Sequence, residues 1–129
     1  MIVPPVVRCM IPCAEIVQEE KQVSLIKLIL NIRSRENPPF PLRLASLCVF
    51  VVLREVTGSG RIRFAILNAE TNEEIRTTKT KPYFFGNDPL VAFGIPARLH
   101  DCVFPSQGVY WLQLWFDDDL LAEQDFVLV

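Results

Sequence analysis

Four cysteines, one histidine and a run of three aspartates are the residues whose types could do chemistry in this chain of 129. Cys9 and Cys13 have three residues between them, whereas Cys48 and Cys102 are isolated. A structural zinc needs two close ligand pairs, and here a second pair is missing, with only His100 to help. On one strand Cys9 and Cys13 would share a face about 13 Å apart, too far to grip one ion. A disulfide framework suits small secreted chains, and nothing here marks secretion. Buried thiols acting as small apolar groups are therefore the expectation. His100-Asp101-Cys102 suggests a thiol–imidazole pair, but sequence neighbours in an extended chain turn to opposite faces, which argues against it. Ser46, Ser59 and Ser106 lack the Gly-x-Ser-x-Gly elbow of a nucleophile. With fifteen acidic residues, choosing a carboxylate pair for acid–base hydrolysis carries no information. The chain is expected not to be an enzyme and to carry no cofactor or metal.

Binding candidates are more concrete. Asp117-Asp118-Asp119, with Asp125 nearby, is the densest acidic cluster. Calcium takes six to eight oxygens, often from adjoining loops, yet no Asp-x-Asp-x-Asp-Gly pattern is present. A hairpin turn explains the aspartates equally, since Asp tolerates left-handed geometry. Trp111 and Trp115 lie on one face of the strand they share, and Trp pairs suit a protein hot spot or sugar stacking. Tyr83, Phe84 and Phe85 form a second aromatic contact candidate, with a hydrophobic plug as its structural counterpart. Arg33, Arg35, Arg61, Arg63, Arg76, Lys79 and Lys81 could gather on a basic face. Without exposed aromatics interleaved in the same strands, a solvated sheet face is the simpler reading, and nucleic acid is not expected as a partner.

The elements that must position these residues are mostly strands. Tyr110, Leu112, Leu114 and Phe116 alternate with polar or opposite-facing neighbours, as period two requires. On the return from the aspartate turn, Leu120, Ala122, Phe126 and Leu128 share a face, while Glu123 and Asp125 point the other way. A hairpin with one apolar face needs a second sheet to cover it. Upstream, residues 6–18 form an extended segment interrupted by Pro12, which implies an edge strand or two short pieces. Residues 22–32 fit helix or strand, and β-branched residues without helix caps favour strand. Residues 33–41 are a proline-rich loop. Residues 42–56 are apolar on both faces, and Gly58-Ser59-Gly60 reads as a tight turn. Ile62, Phe64 and Ile66 then alternate with outward Arg61 and Arg63. A Thr- and Lys-rich strand over 75–81 has the look of a guarded sheet edge. A loop over 82–89, a short strand over 90–95 and one helical turn within 96–103 complete the reading.

Composition sets the bounds. Half the residues are apolar and nine are Phe, which excludes a disordered chain. At this length one domain spanning residues 1–129 is expected. Thirteen basic against fifteen acidic residues leave a net charge of −2, without the overall basic footprint of a nucleic-acid binder. The start lacks a cationic n-region and a long apolar run, and no stretch reaches the ~18 apolar residues of a spanning helix. A cytoplasmic protein with no membrane partner is expected.

Val103-Phe-Pro-Ser-Gln-Gly-Val-Tyr-Trp-Leu-Gln-Leu, followed by Asp117-x-x-Leu-Leu-Ala-Glu123, resembles the ending of many immunoglobulin-like modules. Together with Cys13-Ala14-Glu15, an acidic turn and an apolar strand, the chain from residue 9 to 129 resembles a family of small uncharacterised bacterial β-sandwich proteins. The 82–89 loop departs from that pattern. The resemblance implies an antiparallel immunoglobulin-like β-sandwich of seven to eight strands, and no activity, so no site residue is carried over. The expected function is a non-catalytic protein-interaction module presenting Trp111 and Trp115, or Tyr83, Phe84 and Phe85, to a protein partner or to its own copy as a homodimer. The alternative is a module binding sugar or calcium.

Overall fold

A computed structural model describes residues 5–29, 31–33 and 35–129. Ten strands are formed among them: β1 (Val6–Glu19), β2 (Gln22–Leu28), β3 (Asn31–Ile32), β4 (Leu42–Arg54), β5 (Gly58–Asn68), β6 (Glu74–Thr77), β7 (Lys81–Gly86), β8 (Phe93–Phe104), β9 (Gly108–Phe116) and β10 (Asp119–Leu128). The protein is all-β, with more strands than the expected seven to eight. One sheet has the order β2-β1-β4-β8; the other runs β3-β10-β9-β5-β6, with β7 also on β5. The first is antiparallel throughout. The second is mixed, because β3 pairs with β10 in parallel. No helix among the described residues is long and apolar enough to cross a membrane.

Alternation explains the core. From β4, Leu47, Val49, Val51 and Leu53 are fully buried; from β5, Ile62, Phe64 and Ile66; from β9, Tyr110, Leu112 and Leu114. These belong to one apolar cluster that draws on both sheets. Arg61 and Arg63 face away from it, as the period-two reading requires. Burying this many branched and aromatic side chains, at ~25 cal/mol per Å² of apolar surface, is the main term opposing the loss of chain entropy.

Several sequence expectations give way to local geometry. Pro12 lies inside β1, which is paired on both sides rather than at an edge. Its carbonyl accepts from Ile29 N at 2.9 Å, so its absent N–H faces the β2 side just where that ladder ends at Cys13 and Leu28. No β1–β4 bond is lost. The 58–60 glycines open β5, and the turn sits one step earlier. Residues 82–86 are strand β7 and not loop, the connection falls at 87–92, and a continuous β8 replaces the helical turn within 96–103; both strands have one edge unpaired, where proline is tolerated. Leu120 is exposed opposite Trp115, because the ladder shifts register between Leu120 and Ala122. A bulge there moves one residue to the other face.

Candidate functional site

A cavity of about 600 Å³ opens where β6 and β7 of one sheet come beside β8 of the other. Its floor is apolar, from Ile62, Phe64 and Leu99. One wall is the β6–β7 connection. Thr78 fixes it to β5 twice, its N–H donating to the Phe64 carbonyl at 2.8 Å and its hydroxyl accepting the Phe64 N–H at 2.9 Å. The Thr77 hydroxyl adds a bond to the same carbonyl at 3.2 Å and accepts one from Arg63 at 3.3 Å. A connection tied down in this way holds Arg76, Lys79 and Lys81 around the opening instead of leaving them on a free loop. The opposite wall is the unpaired edge of β8: alternation turns Ala97 and Leu99 toward the core and Pro96, Arg98 and His100 to the outer face of that sheet, where Ile16, Gln18 and Cys48 carry the lining around the edge.

The charge of this cavity is of one sign. Arg76, Lys79, Lys81 and Arg98 line it, His100 joins them, and no Asp or Glu is among its lining residues. An ion pair between Arg61 and Asp118, at 3.4 Å, lies away from it. Four permanent cations in a chain of net charge −2 create a local field opposite to the whole. A concave wall of low dielectric concentrates that field. Arg76 also acts on Cys102 across the sheet edge. Burial pushes the Cys102 thiol up to about 11, with Arg76 pulling it down and Asp101 pushing it up. Tyr83 is a half-exposed aromatic residue of the lining, whereas Phe64 is buried; burial raises the Tyr83 phenol, which stays neutral.

The five aromatic candidates do not come together. Strand alternation splits the trio: Tyr83 is half-buried in the cavity, Phe84 is 74% exposed on the other face, and Phe85 is 2% exposed in the core. Phe85 is corrected from a contact residue to a core one, packed edge-on to Phe93 with centroids 5.2 Å apart. Trp111 and Trp115 are half-buried on the outer face of the β9 sheet, away from the cavity. The Trp115 indole N–H donates to Gln113 at 3.1 Å, Gln113 donates to Glu123 at 2.7 Å, and Arg63 stands 4.9 Å over the Trp115 ring. Those polar groups are already satisfied within the chain.

The aspartates form the turn that was one of their two readings. Asp117 and Asp118 have φ of 48° and 69°, and Asp117 accepts the Arg61 N–H at 2.8 Å. No group of three His, Cys, Asp or Glu is placed to hold a metal among the described residues. His100 is exposed and Cys102 buried, because Asp101 between them takes φ of 53° and resets the alternation. All four cysteines are free thiols. Of the basic residues weighed from sequence, Arg76, Lys79 and Lys81 converge, whereas Arg61 and Arg63 lie elsewhere. Arg98 and His100 were legible only as the polar half of an alternation from Ile95 to Leu99, which a helical turn over 96–103 conceals.

The residues thus define an all-β protein with a cation-lined cavity between two sheet edges. No known family profile and no curated protein matches the chain. Among solved structures it is similar to the Pseudomonas fluorescens alkylpurine DNA glycosylase AlkC bound to DNA containing an abasic site analog, at 13% identity and a TM-score of 0.46. The match covers 77% of this chain and 27% of that one, so the chain spans about a quarter of its neighbour's length.

Two expectations are corrected here. A non-catalytic protein-interaction module, and a partner list of protein or self with nucleic acid excluded, give way to the charge of the cavity. The physical reason lies in this chain and not in that likeness. Net charge averaged away a cavity whose ionic side chains are all cationic.

Proposed function

We propose that the cavity between β6–β7 and β8 binds the phosphate backbone of a nucleic acid. The single observation that supports this is the convergence of Arg76, Lys79, Lys81 and Arg98 on one concavity with no carboxylate in its lining. Arginine forks and lysine ammoniums are the usual partners of phosphate, and both kinds are present. The volume of about 600 Å³ lies in the range of sites that enclose one small ligand or part of a chain. We read the scaffold as one immunoglobulin-like β-sandwich domain over residues 1–129. The core shared by the two sheets supports that reading, as does the Tyr110 hydroxyl bonded back to the Ser106 carbonyl at 2.7 Å.

The test is binding of labelled oligonucleotides across a salt series. Affinity should fall between about 50 and 200 mM salt, with log affinity against log salt no steeper than about −3 for four neutralised phosphates on a single strand. Lys79→Ala and Lys81→Ala should each weaken binding uniformly across sequences and flatten that slope by a little under one. Salt-independent binding, or charge variants that bind as well as the parent, would remove the reading.

A further inference from the structure

We infer that this cavity takes a single strand rather than a duplex, and that Tyr83 is the platform on which one base stacks; the inference rests on the phosphate-binding reading above. Tyr83 lies among the cationic side chains and is half-exposed, whereas Phe64 beneath it is buried. It is a backed ring, not a loose one. Phe85 lies 6.1 Å behind it at an interplanar angle of 21°, and Phe85 is itself buried against Phe93 and Phe116. A ring held in this way keeps its orientation, so little rotamer entropy is lost when a second ring is laid on it. Lys81 stands two residues before Tyr83 on β7, and alternation puts both on one side of the strand. A cation for phosphate and a π-face for base, side by side along an edge strand, is the arrangement by which single strands are held without sequence readout.

Shape points the same way. A duplex is a convex rod with its bases stacked inside, and proteins read it by pushing a helix or ribbon into its grooves. Here the cations surround a concavity. A paired base could not offer its face to Tyr83 without leaving the stack.

Anisotropy with a labelled mixed-sequence 12-mer, as a single strand and as the matching duplex, tests this on the full chain. The single strand should bind on the order of tenfold tighter than the duplex. Tyr83→Ala should weaken the single strand by on the order of tenfold while leaving its salt slope unchanged, and Tyr83→Phe should bind as the parent does. Because removing the ring also uncovers Phe85, Tyr83→Leu keeps the bulk, and Tyr83→Trp supplies a ring whose fluorescence should be quenched by the bound strand. Equal or tighter duplex binding, an unquenched Tyr83→Trp, or undiminished binding by a folded Tyr83→Leu overturns the inference. If Lys79→Ala and Lys81→Ala still flatten the salt slope, the phosphate reading survives that failure. If neither strand binds the parent protein, both fall together.

Discussion

Gly60 and Phe116 face one another so closely that a Cβ built on Gly60 would stand 2.3 Å from Cζ of the Phe116 ring. Gly60 lies on β5 and Phe116 on β9, and the ring fills the space that a side chain would otherwise take. Phe116 cannot move aside at little cost, since it is 8% exposed and packs at 6.2 Å against Phe85. Gly60→Ala should therefore lower stability by about 1–3 kcal/mol, the usual range for overpacking a core. Gly94 is the control. A Cβ there would meet Cζ of Phe50 at 2.6 Å, but Phe50 is only half-buried and its ring can swing toward solvent. Gly94→Ala should cost clearly less, and urea unfolding of both variants measures the difference.

Tyr110 is wholly buried, and its hydroxyl donates 2.7 Å to the Ser106 carbonyl. The ring packs edge-on to Phe104 with centroids 4.9 Å apart. The hydroxyl therefore ties the turn before β9 to the core while the ring fills that core. Tyr110→Phe keeps the packing and removes only the bond, so about 0.5–1.5 kcal/mol should be lost. Tyr110→Leu should cost more, because it also leaves a void beside Phe104 and Phe126. Equal losses in the two variants would show that the hydrogen bond, not the ring, is the larger contribution.

How much of this was readable beforehand follows from where the pattern is undisturbed. β5 and β9 are central strands with one face inward, so period two located Ile62, Phe64, Leu112 and Leu114 in the core directly from sequence. Prolines misled the reading elsewhere. Pro12, Pro82 and Pro96 all sit within strands, each where an N–H has no ladder partner to lose or where the strand is an edge. That distinction depends on which neighbour the chain acquires, and the sequence does not state it. Leu120 was misplaced by a single bulge. The site was hardest to see because Arg76 and Arg98 belong to different sheets. Only the stacking of one sheet edge beside another turns scattered charges into a cavity.

Cys102 gives the protein a pH dependence of known sign. Its thiol is pushed from 9.0 up to about 11, first by burial, with Asp101 adding to the rise and Arg76 opposing it. The fold thus prefers the protonated thiol. Below 9.0 both folded and unfolded chains hold the proton and the contribution is complete. Above that the unfolded chain ionises first, so stability falls as pH rises toward about 11. At ~1.4 kcal/mol per unit of difference the effect is roughly 2–3 kcal/mol. Lysines and tyrosines titrate in the same window, so the measurement is a comparison: Cys102→Ala should lose less stability than the parent between these two pH values. The native thiol should also resist alkylation at pH 8 until the chain is unfolded.

The cationic cavity should carry a stability cost that its ligand removes. Arg76, Lys79, Lys81 and Arg98 line one opening whose lining holds no carboxylate, so in low salt they repel one another. Lys81→Ala should then raise the melting temperature slightly, which is the reverse of what loss of a structural residue does. The gain should shrink as salt rises, since a Debye length of about 10 Å at 0.1 M falls to about 3 Å at 1 M. Added polyanion should raise the melting temperature of the parent more than that of Lys81→Ala, because a ligand stabilises in proportion to its affinity for the folded state. Thermal scans of both proteins at two salt concentrations, with and without oligonucleotide, measure all of these shifts. A Lys81→Ala protein less stable than the parent at low salt would mean that the lysine stem packs on the Ile62 side of β5 and matters more there than its charge.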